Sequence, residues 1–287
     1  MRQPTQTFVD SGDVALSVLE WAGSGDPVLL LHATGFHSYC WNEVVRRLGE
    51  RRVIAIDLPF HGGSRCAGRP HWPQMAQAIS RCISRLELDA IVGAGHSLGG
   101  HLLARCAAHE PGRFRHLLLI DPVILPPQRY ALLGEQPGEI DPATHPVSRR
   151  KNDWHDPTQM FERFRDRSPF DTWEPAVLRD YCEHALLPAG QDGLRRLACD
   201  PLDEAGIYLN QRGNESIYEQ LPRLTMPVTL LRAPSDEGAE PGGAHSPTWP
   251  QLAAALPNCQ EVYLPGHNHF IPMQDPALVA RYLLAAP

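Results

Sequence analysis

Along the first 122 residues, short apolar runs rich in β-formers alternate with stretches whose apolar positions recur every three or four residues. Residues 8–9 and 14–21 read as an opening hairpin around Ser11-Gly12-Asp13, and 28–31, 53–56, 90–94 and 117–120 read as buried strands. Between them, 41–48, 75–86 and 98–108 read as helices; the first carries Val44, Val45 and Leu48 on one face. Apolar strands separated by helices are the mark of a largely parallel sheet covered on both faces. From 123 to 224 the rhythm breaks: no comparable β-rich run occurs, and Pro-rich joints link amphipathic pieces. One piece holds Met160, Phe161 and Phe164, another Val177, Leu178, Tyr181, Ala185 and Leu186, so an inserted helical unit is expected. The α/β pattern resumes with a strand at 227–231, a helix near 248–256, a strand at 261–264 and a final helix at 276–284; 234–247 is a glycine- and proline-rich loop.

Composition narrows the classes. A chain of 287 residues at 43% hydrophobic content can bury one large core and is short for two full domains. The formal charge of -7, with no basic cluster beyond Arg149-Arg150-Lys151, argues against a nucleic-acid partner. Seven cysteines lie scattered without a C-x-x-C pair, and an odd count cannot close into a full disulfide set; reduced thiols are expected. The N-terminal residues lack an apolar signal core and no run approaches the ~18 apolar residues of a membrane helix, so a cytoplasmic protein with no membrane partner is expected. None of the fourteen histidines falls into zinc-site spacing, so neither metal nor cofactor is expected.

The candidate chemistry centres on Gly95-His96-Ser97-Leu98-Gly99, followed by Gly100. Five residues with three fixed match by chance often, and an ordinary turn serine is the bland reading. Here the match sits between an apolar strand and a helix, which is the setting of a nucleophile elbow. A serine hydroxyl needs a base to take its proton and a third group to orient that base. His269 follows the last strand closely and competes with His267; Asp236 follows the strand at 227–231 and competes with Glu237 and Asp121, the latter placed after the strand at 117–120. The order Ser97, Asp236, His269 is the expected one, with Asp121 as the alternative acid. His96 and His32 are expected to pack or hold loops, and Asp57 to brace them. Of the aromatics between 154 and 181, most are expected to form the inserted unit's own core and a few to line an acyl pocket.

Four ordered motifs carry a resemblance: Leu31-His32-Ala33-Thr34-Gly35-Phe36, Asp57-Leu58-Pro59-Phe60-His61-Gly62-Gly63-Ser64, the elbow, and Pro265-Gly266-His267-Asn268-His269-Phe270-Ile271-Pro272. The chain resembles the α/β-hydrolase superfamily over nearly its whole length, in the cap-bearing branch of serine esterases and acyl hydrolases. The resemblance implies a mostly parallel eight-stranded sheet flanked by helices, with 1–122 and 225–287 as the core and 123–224 as a helical cap. It implies cleavage of a small or medium carboxylic ester through an acyl-enzyme on Ser97, with the backbone N–H groups of Thr34 and Leu98 as oxyanion hole. Ala33 departs from the family, which usually has His-Gly before that donor. A thioesterase, lactonase or carbon-carbon bond hydrolase would use the same triad, although the last usually carries His-Gly-Ser-Gly-Pro-Gly in the early loop, absent here. A non-catalytic ligand-binding protein on this fold is the alternative from another class. The small-molecule substrate is the expected partner, and a homodimer is compatible with the chain.

Overall fold

The computed structural model describes residues 2–133, 140–235 and 244–287. Among the described residues nine strands form one sheet. They are β1 (Thr5–Asp10), β2 (Val14–Trp21), β3 (Ser24–Leu31), β4 (Arg51–Ile56), β5 (Arg65–Cys66), β6 (Ile91–His96), β7 (Phe114–Ile120), β8 (Val228–Arg232) and β9 (Cys259–Tyr263). The order β1-β2-β4-β3-β6-β7-β8-β9 is the expected eight-stranded path, and the two-residue β5 adds a ninth piece on β2. β1 with β2 and β2 with β4 are antiparallel; every other pair on the path is parallel.

Alternation along the strands divides the core. Leu29 and Leu31, Ile54 and Ile56, Leu117 and Leu119 face one side; Val28 and Leu30, Val53 and Ala55, Leu118 and Ile120 face the other. The period-2 geometry of a strand requires this, and apolar residues at both parities mean that both faces are covered. α2 (Trp72–Arg85) and α3 (Leu98–His109) cover the first face; α1 (Asn42–Arg47) and α9 (Pro276–Leu284) cover the second.

Between β7 and β8 the chain forms α4 (Pro127–Leu133), α5 (Pro157–Phe164), α6 (Pro175–His184), α7 (Pro201–Leu209) and α8 (Ile217–Gln220). α5 and α6 contribute to a third apolar cluster with Trp154, Met160, Trp173, Leu178 and Tyr181, and it includes Ala33, Phe36 and Met273 from either side of the insertion. Trp154, Trp173 and Tyr181 are buried in it while Phe161, Phe164 and Phe170 pack on its edge, so three of these six aromatics form a core and three flank it. That core is shared with the loop after β3 rather than private to the segment.

The helix expected near 248–256 is a single 3-10 turn, Leu252–Ala255. Pro250 falls inside the stretch and lacks an N–H, while the Trp249 N–H is already given to the carbonyl of Ile124 at 2.8 Å.

Candidate active site

The carboxyl ends of β3, β6 and β7 lie level, with Leu31 opposite Gly95 and Gly95 opposite Leu119. Ligand chemistry in open α/β sheets gathers at this edge. Ser97 leaves β6 at φ 56 and ψ -119, a left-side backbone conformation that few non-glycine residues adopt. It is held there by its own N–H to the Ile120 carbonyl (3.0 Å) and by its carbonyl, which accepts from Val123 N (3.1 Å) and His101 N (3.2 Å). The glycines of the motif answer to crowding. A Cβ on Gly95 would come within 2.5 Å of the Gly99 carbonyl oxygen, and one on Gly99 would overlap the carbonyl oxygens of Leu31 and His32. The elbow therefore presses α3 directly onto the end of β3, beside the loop that carries Thr34.

The hydroxyl of Ser97 lies 3.0 Å from His269 Nε2, and His269 Nδ1 lies 2.6 Å from Asp121 Oδ2. Asp121 is fully buried and stands just past β7, at φ 45, with its N–H given to the Leu231 carbonyl at 2.8 Å. Its other oxygen accepts from Ala233 N (3.1 Å), Ser246 Oγ (2.6 Å) and Thr248 Oγ1 (3.4 Å). With one oxygen so occupied by donors, the carboxylate stays fixed and its second oxygen takes the imidazole N–H. Nδ1 is then the protonated nitrogen, and Nε2 is free to accept from the serine hydroxyl.

Ser97 and His269 come together, and among the described residues the carboxylate that reaches His269 is Asp121, the alternative acid; Asp236 lies outside the described residues. Ser246 gives its hydroxyl to Asp121, and the Ala244 carbonyl accepts the His269 N–H at 2.7 Å. His267 sits apart, 3.7 Å from Asp275 Oδ2.

His96 does more than pack. Its Nε2–H donates to the His269 carbonyl at 2.8 Å, and the two rings lie 5.1 Å apart. Burial, the largest influence, holds His96 neutral by lowering its pKa well below the ordinary value. Its position before the elbow serine was the only signal for this.

The loop after β3 is braced by two further neutral histidines. His32 donates from Nδ1 to the Ala33 carbonyl (2.8 Å) and accepts the Leu58 N–H at Nε2 (3.0 Å). His61, which sequence reasoning did not single out, donates from Nδ1 to the Pro59 carbonyl (2.9 Å) and accepts the Gly35 N–H at Nε2 (2.9 Å). Burial lowers the pKa of each to about 3, so both acceptor nitrogens persist at neutral pH. Asp57 braces loops as expected, accepting from Ser38 N (2.7 Å) and Gly63 N (2.8 Å). Ala33 is buried in the third cluster, and Thr34 follows it, half-buried in the turn. Leu98 is the first residue of α3, where a backbone N–H has no acceptor within the helix. No helix among the described residues is long and apolar enough to cross a membrane.

Comparison with known proteins bears on what this edge can do. An esterase of Mycobacterium tuberculosis is 35% identical over 129 residues, a match covering 44% of this chain and 43% of that protein, so the chain spans under half of that relative. A pimeloyl-[acyl-carrier protein] methyl ester esterase of Nitrosomonas europaea is 26% identical over 88% of this chain and 93% of its own length. Among solved structures, E-2-(acetamidomethylene)succinate hydrolase superposes with a TM-score of 0.77 at 23% identity, covering 99% of this chain and 98% of the other. The thioesterase domain from the curacin biosynthetic pathway superposes with a TM-score of 0.74 at 20% identity, covering 98% and 99%. These last two likenesses speak to fold. The pattern of the alpha/beta hydrolase family matches residues 28–282, nearly the whole length, and the chain belongs to that family.

Proposed function

We propose that the chain is a serine hydrolase that cleaves small or medium carboxylic esters through an acyl-enzyme on Ser97. The observation that carries this reading is the continuous relay from Ser97 Oγ to His269 Nε2 (3.0 Å) and from His269 Nδ1 to Asp121 Oδ2 (2.6 Å). Ser97 Oγ attacks the ester carbonyl as His269 Nε2 takes its proton, and the buried Asp121 carboxylate stabilises the imidazolium that forms. The carbonyl oxygen, now negative, receives the N–H groups of Leu98 and Thr34; each such donor contributes on the order of 3 kcal/mol. The tetrahedral species collapses, His269 returns the proton to the departing alcohol, and a water activated by the same imidazole hydrolyses the acyl-enzyme.

The His61 bond to Gly35 supports Thr34 as a donor, since it ties up the neighbouring N–H and fixes the turn. The segment 123–224 acts as a cap in this reading, presenting Trp173 and Tyr181, beside Phe36 of the loop after β3, to an apolar acyl group. The methyl ester esterase, matched over nearly its full length, supports an ester over a thioester or lactone. Seven free thiols suit a reducing, cytoplasmic setting.

The test is burst kinetics with p-nitrophenyl esters of increasing chain length, alongside thioesters and lactones. Native protein releases one equivalent of p-nitrophenol per active site before steady turnover, and Ser97→Ala shows no burst. A burst that survives in Ser97→Ala refutes the assignment.

A further inference from the structure

A groove of about 540 Å³ runs between α2, the second half of α3 and residues 220–223. Four arginines line it, Arg81, Arg85, Arg105 and Arg223. The chain as a whole carries a formal charge of -7, so this concentration runs against its overall balance. None of the ion pairs among the described residues uses any of the four. One acid, Glu110, lines the groove, and it is turned to Arg113 Nε and to Ser84 Oγ at 3.3 Å.

Arg105 is the telling residue. It is buried, at 7% exposure, yet its hydrogen-bond partners among the described residues are all neutral. Its Nε donates to His101 Nε2 at 2.8 Å, and Nη2 donates to Asn214 Oδ1 (3.3 Å), the Asn214 carbonyl (3.4 Å) and Ser216 Oγ (3.2 Å). His101 itself is held neutral by burial, its pKa lowered to about 3, and donates from Nδ1 to the Val123 carbonyl at 2.9 Å. A buried cation without a counter-charge is costly, and such groups are ordinarily paired. Arg81 spends Nε and Nη2 on the Ser11 carbonyl (2.9 and 2.7 Å), while Arg85 and Arg223 are exposed at the rim. Pro73, Ala76 and Ala108 supply an apolar wall beside the charges.

We propose that this groove binds a small organic phosphate bearing two or more negative charges. Guanidinium forks match phosphate oxygens in pairs, and the volume falls within the roughly 300–1,000 Å³ of small-molecule sites. The site is separate from the elbow: Arg105 lies eight residues along α3 from Ser97, roughly 12 Å of helical rise. It therefore does not rest on the reading of Ser97 as nucleophile.

Calorimetric titration of the whole protein with adenosine diphosphate tests this, with citrate as a non-phosphate polyanion. The expected result is saturable one-to-one binding of the diphosphate with a Kd tighter than about 1 mM, and an upward shift in Tm. Arg85→Ala/Arg223→Ala, at two exposed rim positions, weakens that binding at least tenfold. Arg52→Ala/Arg115→Ala removes the same charge from exposed surface pairs elsewhere and leaves it unchanged. Absence of saturable binding overturns the proposal. So does an equal loss in both double variants, which would mark non-specific attraction, or citrate binding as tightly as the diphosphate.

Discussion

Replacing Asp121 with Asn is the sharpest perturbation of the relay, because it keeps the size of the side chain and removes its charge. The carboxylate is fully buried and its Oδ2 lies 2.6 Å from His269 Nδ1. In the transition state the imidazole becomes a cation whose charge centre lies about 4 Å from that of the carboxylate. At an effective dielectric constant near 20, this attraction is about 4 kcal/mol. Its loss corresponds to about a thousandfold in kcat at about 1.4 kcal/mol per decade. An amide whose NH2 group faces Nδ1 would also favour the wrong imidazole tautomer, which pushes the loss further in the same direction. Asn is preferable to Ala, since Ala would strip acceptors from Ser246 Oγ, Thr248 Oγ1 and Ala233 N and confound activity with stability. The measurement is the acylation rate with p-nitrophenyl acetate by stopped flow, with Tm of the variant as a check on folding. Asp236→Asn serves as the parallel variant and should retain nearly native acylation. An Asp121→Asn rate within tenfold of native, or a large loss in Asp236→Asn, would refute Asp121 as the orienting acid.

Further outcomes are expected. His96→Phe removes the donor to the His269 carbonyl while keeping a ring of similar area, so kcat should fall about tenfold, the worth of roughly one hydrogen bond, with KM little changed; a pure rise in KM would exclude a positioning role. Gly99→Ala should destabilise the fold by several kcal/mol, about 3 or more, as read from urea midpoints, because its Cβ would overlap the backbone carbonyls of Leu31 and His32 at the end of β3. His32, His61 and His101 have folded-state pKa values lowered to about 3 against 6.5 unfolded, so the unfolded chain binds more protons below pH 6.5. Their contribution is present above pH 6.5 and is lost as pH falls toward 3, at about 2 kcal/mol per histidine by pH 5. Urea unfolding between pH 7 and 5 should show this steep loss, and a flat profile would mean that these rings are not buried neutral.

Much of the fold is written locally. Apolar strands of four to eight residues broken by amphipathic helices led to the parallel sheet, and the eight-strand path and the helical segment between β7 and β8 follow that reading. The misreading at 248–256 has a local cause as well as a distant one: Pro250 was visible, while the claim of Ile124 on the Trp249 N–H was not. β5 is two residues long and exists only because β2 offers an edge to pair with, which no window of sequence contains.

Ser97 was legible by itself because crowding at an elbow constrains its immediate neighbours: Gly95 and Gly99 must lack a Cβ, and that demand appears in the sequence as a motif. His269 was legible from its place after the last strand. The choice of carboxylate was not legible, since Asp121 and Asp236 both follow strands and nothing in either neighbourhood states which one reaches the imidazole. Tertiary structure is what brings Asp121 to it: β7 and β8 lie side by side, and Asp121 at the end of β7 gains Ala233, Ser246 and Thr248 as donors from the chain beyond β8. The same holds for His96 against His269 and for the four arginines of the groove, which are gathered from α2, α3 and the turn before β8. Backbone demands of a tight turn are short-range and leave a record in adjacent residues, whereas the pairing of charges across strands depends on distances that only the assembled sheet sets.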